Sequence, residues 1–175
     1  NPNARQRFDS CGGSSWVYRD ADNPDKLRIH ADTCRSRWCI PCAARKAANL
    51  RDTIKPLLKN RAIRMITLTL AHSDDELRTQ LDRLGTCFKT LRRTKDWKRY
   101  VDGGVMFLEL VRSVDGRHWH PHLHVLVVGI FFPHAILMAI WKRITGDSFI
   151  VDIRPIDQVG RAVEYATKYV TKPLS

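Results

Sequence analysis

The chain has 175 residues, enough for one domain with a hydrophobic core plus a small appendage. Thirty Lys and Arg against 18 Asp and Glu give a formal net charge of +12, which points to a polyanionic partner. The longest apolar run, Val125–Phe132, is too short to span a bilayer, no signal peptide is read, and no basic amphipathic helix with a clear apolar face stands out, so a membrane partner is not expected and the expected location is the cytoplasm.

Residues 1–30 read as polar and irregular, with turn signals at Gly12-Gly13 and Asn23-Pro24. Trp16-Val17-Tyr18 and Leu27-Arg28-Ile29 suggest two short strands of a hairpin. Of five cysteines, Cys11, Cys34, Cys39 and Cys42 fall within the first 42 residues, and Cys87 stands apart. Clustering of this kind, with a C-x-x-C turn at Cys39-Ile40-Pro41-Cys42, suits a closed four-ligand zinc site better than a disulfide framework. His30 is an alternative to one of the four. A redox C-x-x-C is the rival reading, but it needs neither a third nor a fourth cysteine. Between Arg35 and Arg64 there are nine basic residues and one acidic one, Asp52. Arg35, Arg37, Arg45 and Lys46 are therefore candidate phosphate contacts, on and before a basic helix expected over 43–59 and ending near Pro56.

Arg64–Leu70 reads as a strand, and Ser73 with Glu76 as a capping box for the helix that follows. Leu77, Leu81, Leu84, Phe88 and Leu91 form its core-facing stripe, with Cys87 a buried thiol beside it. The basic stretch 89–99 adds Arg92 and Arg93 as DNA-contact candidates. Asp102-Gly103-Gly104 reads as a turn, Val105–Val111 as a strand carrying Glu109, and Asp115-Gly116 as a hairpin turn. Next comes His118-Trp119-His120-Pro121-His122-Leu123-His124, running into Val125-Leu126-Val127-Val128. On a strand, alternate residues share a face, so His122 and His124 point the same way as a ready pair of metal ligands. Pro133 opens a helix with Ile136, Leu137, Ile140, Trp141 and Ile144 inward; Phe149, Val151 and Ile153 alternate as a strand; a last helix is expected over 157–172. Helices crossing an antiparallel sheet make an α+β fold, with a zinc-binding segment and basic helix over 1–60 and a second domain over 61–175.

The last helix carries Tyr165 and Tyr169 on one face, with Lys168 and Lys172 three residues after each. Tyrosine, with an ordinary pKa of about 10, attacks phosphorus only where developing charge is stabilised, which a cation and a lysine would do. In isolation, His120-x-His122-x-His124 resembles the histidine-triad nucleotide hydrolases. Three segments together, Ile66-Thr67-Leu68-Thr69-Leu70, His120-Pro121-His122-Leu123-His124-Val125-Leu126 and Tyr165-x-x-Lys168-Tyr169-Val170-x-Lys172, resemble in order the HUH endonuclease superfamily. The likeness is to rolling-circle replication initiators of plasmids and small phages, in their two-tyrosine form. The Cys34…Cys39-x-x-Cys42 segment is similar to one found in a group of plasmid initiators.

This resemblance implies a central five-stranded antiparallel sheet flanked by helices and a Mn²⁺ or Mg²⁺ on His122 and His124. A third polar ligand is implied; Glu109 is the candidate, with His118 and His120 as alternatives. It further implies site-specific nicking and joining of single-stranded or hairpin origin DNA through a 5′-phosphotyrosine, with a host helicase and polymerase as partners. Transposases and relaxases of the same superfamily share that chemistry. A non-catalytic zinc-containing DNA-binding protein is the alternative from another class; it leaves the histidine strand unexplained.

Overall fold

The structure, a computed structural model, describes residues 2–36, 39–58, 61–113, 116–158, 160–161 and 164. The chain divides into two compact units, 1–49 and 50–175.

In the first unit, helix α1 (Pro2–Asp9) precedes a hairpin of β1 (Ser15–Arg19) and β2 (Leu27–Ala31), paired from Ser15–Ala31 to Arg19–Leu27. The hairpin matches the two strands expected there; α1 does not, because eight residues with little apolar content leave no periodic signature. The first turns of α2 (Ile40–Leu58) close the unit. Helix α2 continues two residues past Pro56. A proline in the last turn removes one backbone hydrogen bond without ending the helix at once.

The second unit holds the rest of α2, then β3 (Ile63–Thr69), α3 (Leu77–Leu91), α4 (Lys95–Tyr100), β4 (Val101–Arg112), β5 (Trp119–Gly129), α5 (His134–Thr145) and β6 (Val151–Ile156). The four strands form an antiparallel sheet in the order β4-β5-β3-β6. Among the described residues the main sheet thus has four strands rather than five. Sequence periodicity supplies four strand segments over 61–156, the fifth came from the resemblance, and β1 and β2 pair only with each other.

Strand alternation assigns each residue to a face. Ile66, Leu68, Leu123, Val125, Val127 and Val151 pack with Leu84, Phe88 and Leu91 of α3 and Leu137, Ile140 and Trp141 of α5. On the other face Ile63, Met65, Phe107, Leu126 and Val128 pack with Ile54 and Leu58 of α2. That second cluster covers only part of its face. Beyond it, the same face continues as Thr67, Thr69, His122, His124 and Glu109.

Two local expectations change. Helix α3 begins at Leu77 with Glu76 as N-cap and no side-chain capping bond; the Ser73 hydroxyl instead accepts from the Asp75 N–H at 3.1 Å. Asp102-Gly103-Gly104 is strand, with a bulge between Val101 and Gly103. Glycine is required at 104 by close approach: a Cβ there would lie 2.4 Å from the Leu126 carbonyl oxygen. Gly104→Ala is expected to lower stability by about 1–3 kcal/mol, read as a lower urea midpoint. Gly103→Ala, with nothing within 4 Å of its Cβ, is the matched control and should not destabilise.

Candidate functional site

The sulfurs of Cys11, Cys34, Cys39 and Cys42 converge, all within 4.8 Å of one another. Cys11 and Cys42 are 3.5 Å apart, Cys34 and Cys42 3.7 Å, Cys39 and Cys11 3.5 Å. Four sulfurs about 2.3 Å from a tetrahedral zinc stand roughly 3.8 Å from each other, so the cluster fits that ion; a disulfide needs about 2.05 Å. Backbone N–H groups of Cys34 and Ser36 donate to the Cys11 and Cys34 sulfurs, both at 3.4 Å. Burial pushes the Cys42 thiol up, but its neighbouring sulfurs and the Arg35 backbone N–H outweigh that, and its pKa falls to about 7. His30 does not join the sulfurs. It lines an adjoining cavity of about 480 Å³ with Thr33, Arg35, Arg45, Lys46 and Asn49.

That cavity brings together three of the basic residues singled out for phosphate contact. If they grip DNA, Arg45→Ala/Lys46→Ala should lessen the salt dependence of single-strand binding. A loss of roughly 1.4 in the slope of log K against log salt is expected, about 0.7 per contact, measured by fluorescence anisotropy. Arg37 lies outside the described residues. Arg92 and Arg93 are exposed at the end of α3, which packs on the sheet face opposite His122 and His124.

Three strands build the histidine site. Thr67 and Thr69 on β3 stand opposite His124 and His122 on β5, and Glu109 on β4 stands opposite His122. The register ends at Thr69–His122 on the β3 side, so Pro121 faces only β4 and its missing N–H is tolerated. Thr67 Oγ1 is 3.1 Å from His124 Nδ1, and Thr69 Oγ1 is 3.1 Å from His122 Nδ1. Each imidazole is therefore fixed at Nδ1. When Nδ1–H of His122 donates to Thr69, its Nε2 carries the lone pair a cation would take; at His124, Nε2 is already paired with Glu109, so a cation there would take the place of the shared proton. His124 Nε2 lies 2.8 Å from Glu109 Oε2, both groups largely buried. Burial and the charge of His124 hold the His122 pKa down, against the opposing pull of Glu109, which keeps that imidazole neutral and available as a ligand. The imidazole centroids are 6.4 Å apart. Two nitrogen donors and a carboxylate are donor types that a divalent transition-metal ion accepts. Sequence reasoning pointed to both histidines and Glu109 but missed the threonines; the alternation Thr67-x-Thr69 was visible, yet only the strand register aims it at the imidazoles.

Tyr165, Lys168, Tyr169 and Lys172 lie outside the described residues. Just before them, Gly160 and Glu164 are helical and line a cavity of about 330 Å³ with Arg51 and Lys55. These two α2 residues flank Ile54, which packs on the histidine-bearing face.

A family model described as a replication protein matches residues 26–174. The chain is 25% identical over 147 residues to "Protein rep" of Staphylococcus aureus, covering 74% of this chain and 64% of that protein. It is 27% identical over 168 residues to "Protein rep" of a Bacillus species, covering 89% and 54%, and 25% identical over 166 residues to that of Bacillus amyloliquefaciens, covering 89% and 49%. The chain thus spans about half to two thirds of these relatives' length. No solved structure gives a significant match. Among the described residues, no helix is long and apolar enough to cross a membrane.

Proposed function

From the premise that the chain belongs to this family of replication proteins (Rep_1), we propose that it initiates rolling-circle replication by nicking one strand of origin DNA and joining that strand to itself. The observation that carries this reading is the pair of imidazoles on one sheet face, each anchored at Nδ1 by a threonine, with Glu109 beside them.

His122, His124 and Glu109 would hold Mn²⁺ or Mg²⁺, which supplies Lewis acidity to a non-bridging oxygen of the scissile phosphate. Tyr165 or Tyr169 attacks that phosphorus in line. The tyrosyl O–P bond forms as the P–O3′ bond breaks, and the phenolic proton is balanced by the proton taken up at the departing 3′-oxygen. The products are a 5′-phosphotyrosine and a free 3′-OH. Lys168 or Lys172 stabilises charge on the phenol oxygen or the leaving oxygen. The second tyrosine repeats the exchange on the new strand and releases a circle. Each step trades one phosphodiester for another, so no nucleotide triphosphate is consumed.

In this reading residues 1–60 form a zinc-bearing, basic DNA-gripping segment and 61–175 the nicking domain. The protein works in the cytoplasm of a bacterial host beside that host's helicase and polymerase. The test incubates the chain with Mn²⁺ and single-stranded oligonucleotides tiling a cognate origin. A protein–DNA adduct that survives a denaturing gel is the expected result. An adduct undiminished in Tyr165→Phe/Tyr169→Phe would remove the tyrosines from the mechanism, and no adduct on any tile would remove the nicking reading.

A further inference from the structure

A second set of imidazoles stands apart from His122 and His124. His72 and Asp74 lie in the loop between β3 and α3, and His118 lies just before β5. His72 Nε2 and His118 Nδ1 both face the same oxygen, Oδ1 of Asp74, at 3.4 and 3.1 Å. The three ligand atoms fall within 4.8 Å of one another. The His72 and His118 rings meet edge to face at 5.1 Å, and His120 lies against His72 at 5.0 Å.

We propose that His72, Asp74 and His118 form a second divalent-cation site that takes a borderline transition-metal ion such as Zn²⁺ or Co²⁺ and clamps the β3–α3 loop to the start of β5. Ligands about 2.1 Å from one ion stand roughly 3.0 Å apart in octahedral and 3.4 Å apart in tetrahedral geometry. The observed 3.1 and 3.4 Å span that range. Each contact alone is that of an imidazole–carboxylate ion pair; what the trio adds is three ligand atoms from two chain segments within 4.8 Å of one another. Two nitrogens and a carboxylate favour a transition metal over Ca²⁺. The ion is separate from the one proposed at the nicking site. His118 and His122 are four strand residues apart, roughly 13 Å, too far to share a cation.

The loop is also held in place before any ion arrives. The Ala71 N–H donates to the Ser148 hydroxyl at 2.7 Å. The Gln80 amide donates to the carbonyls of Ser73 and Asp75, at 3.3 and 2.8 Å. Ser148 and Gln80 are two of the three buried polar side chains among the described residues. Both serve the segment that carries His72 and Asp74, as preorganisation of a ligand loop requires.

The proposal does not depend on nicking activity, and its test removes the other site first. The chain carrying His122→Ala/His124→Ala, its cysteines loaded with zinc, is titrated with Co²⁺ by calorimetry. One Co²⁺ per chain is expected. Adding Asp74→Asn/His118→Gln should weaken that binding by at least about 100-fold, with an unchanged thermal melt because these groups are at the surface. His72→Gln alone should weaken it by about 10–100-fold. No Co²⁺ bound by the His122→Ala/His124→Ala chain, or equal affinity in the Asp74→Asn/His118→Gln chain, overturns the site. Failure of the nicking reading would appear instead in the adduct assay.

Discussion

The chain carrying His122→Ala/His124→Ala is expected to nick origin DNA at least about 10²–10³-fold more slowly than the parent at saturating Mn²⁺, the scale of losing one preorganised charge-stabilising element from an active site. Its affinity for the same oligonucleotide should change little, because the basic residues near the cysteines do not depend on these imidazoles. Thr67→Val and Thr69→Val should behave differently. Each removes the hydroxyl 3.1 Å from a histidine Nδ1 and leaves both imidazoles present. Their loss is expected in Mn²⁺ affinity, about 10–100-fold, and excess Mn²⁺ should restore the rate. Glu109→Gln removes the carboxylate 2.8 Å from His124 Nε2 and should respond to Mn²⁺ in the same direction. The pH profile has a predicted sign. Burial and His124 lower the His122 pKa below its ordinary 6.5. Nicking should therefore persist below pH 6.5 and fall only when His122 takes up its proton. Rates on a denaturing gel, as a function of Mn²⁺ and pH, check all of this. Full activity in the His122→Ala/His124→Ala chain would detach the histidine face from the chemistry.

The parts of this site that were legible in the sequence are those set by local periodicity. Histidines at every second position leading into a β-branched run place His122 and His124 on one face whatever the partner strands are. The same logic found the stripes of α3 and α5. The fold of 1–31 was less legible: the hairpin was marked by apolar triplets, whereas α1 has no apolar face to announce it. What depends on strand register was not visible. Thr67 and Thr69 matter only because β3 pairs with β5 at Thr67–His124 and Thr69–His122. Gly104 reads as a turn until Leu126 is set 2.4 Å from its absent Cβ. The convergence of His72 and Asp74 with His118 joins residues more than 40 positions apart, across a loop whose path is set by Ser148 and Gln80. The fifth strand marks the opposite failure, where a resemblance supplied an element that no described segment of 61–156 adds to the four.

Stripping the metal from the four cysteines is expected to abolish the ordered structure of the first unit while β3 and β5 remain protected. The reason is the small core of residues 1–49. Among the described residues its buried apolar side chains are Cys39, Cys42, Ala43 and Ala47, whereas Phe8, Trp16, Val17, Tyr18, Leu27, Ile29 and Ile40 are exposed. Two cysteines and two alanines bury too little area to offset the entropy of ordering the hairpin and its flanks. An ion bound by sulfurs from positions 11, 34, 39 and 42 would tie both flanks of the hairpin to the start of α2, so that binding and folding would be one event. Hydrogen exchange followed by mass spectrometry reads this directly. Amides of Ser15–Arg19 and Leu27–Ala31 should lose protection on chelation or in Cys34→Ser/Cys42→Ser, and those of Ile63–Thr69 should not. Acid should act in the same direction, because protons compete with zinc for thiolate. Before any ion binds, burial pushes the Cys42 thiol up, but the neighbouring sulfurs and the Arg35 N–H bring its pKa from 9.0 to about 7, closer to the thiolate that zinc needs. Unchanged hairpin protection after verified zinc removal would mean that the hairpin folds without the ion; less than one zinc per chain in reduced, metal-replete protein would remove the site itself.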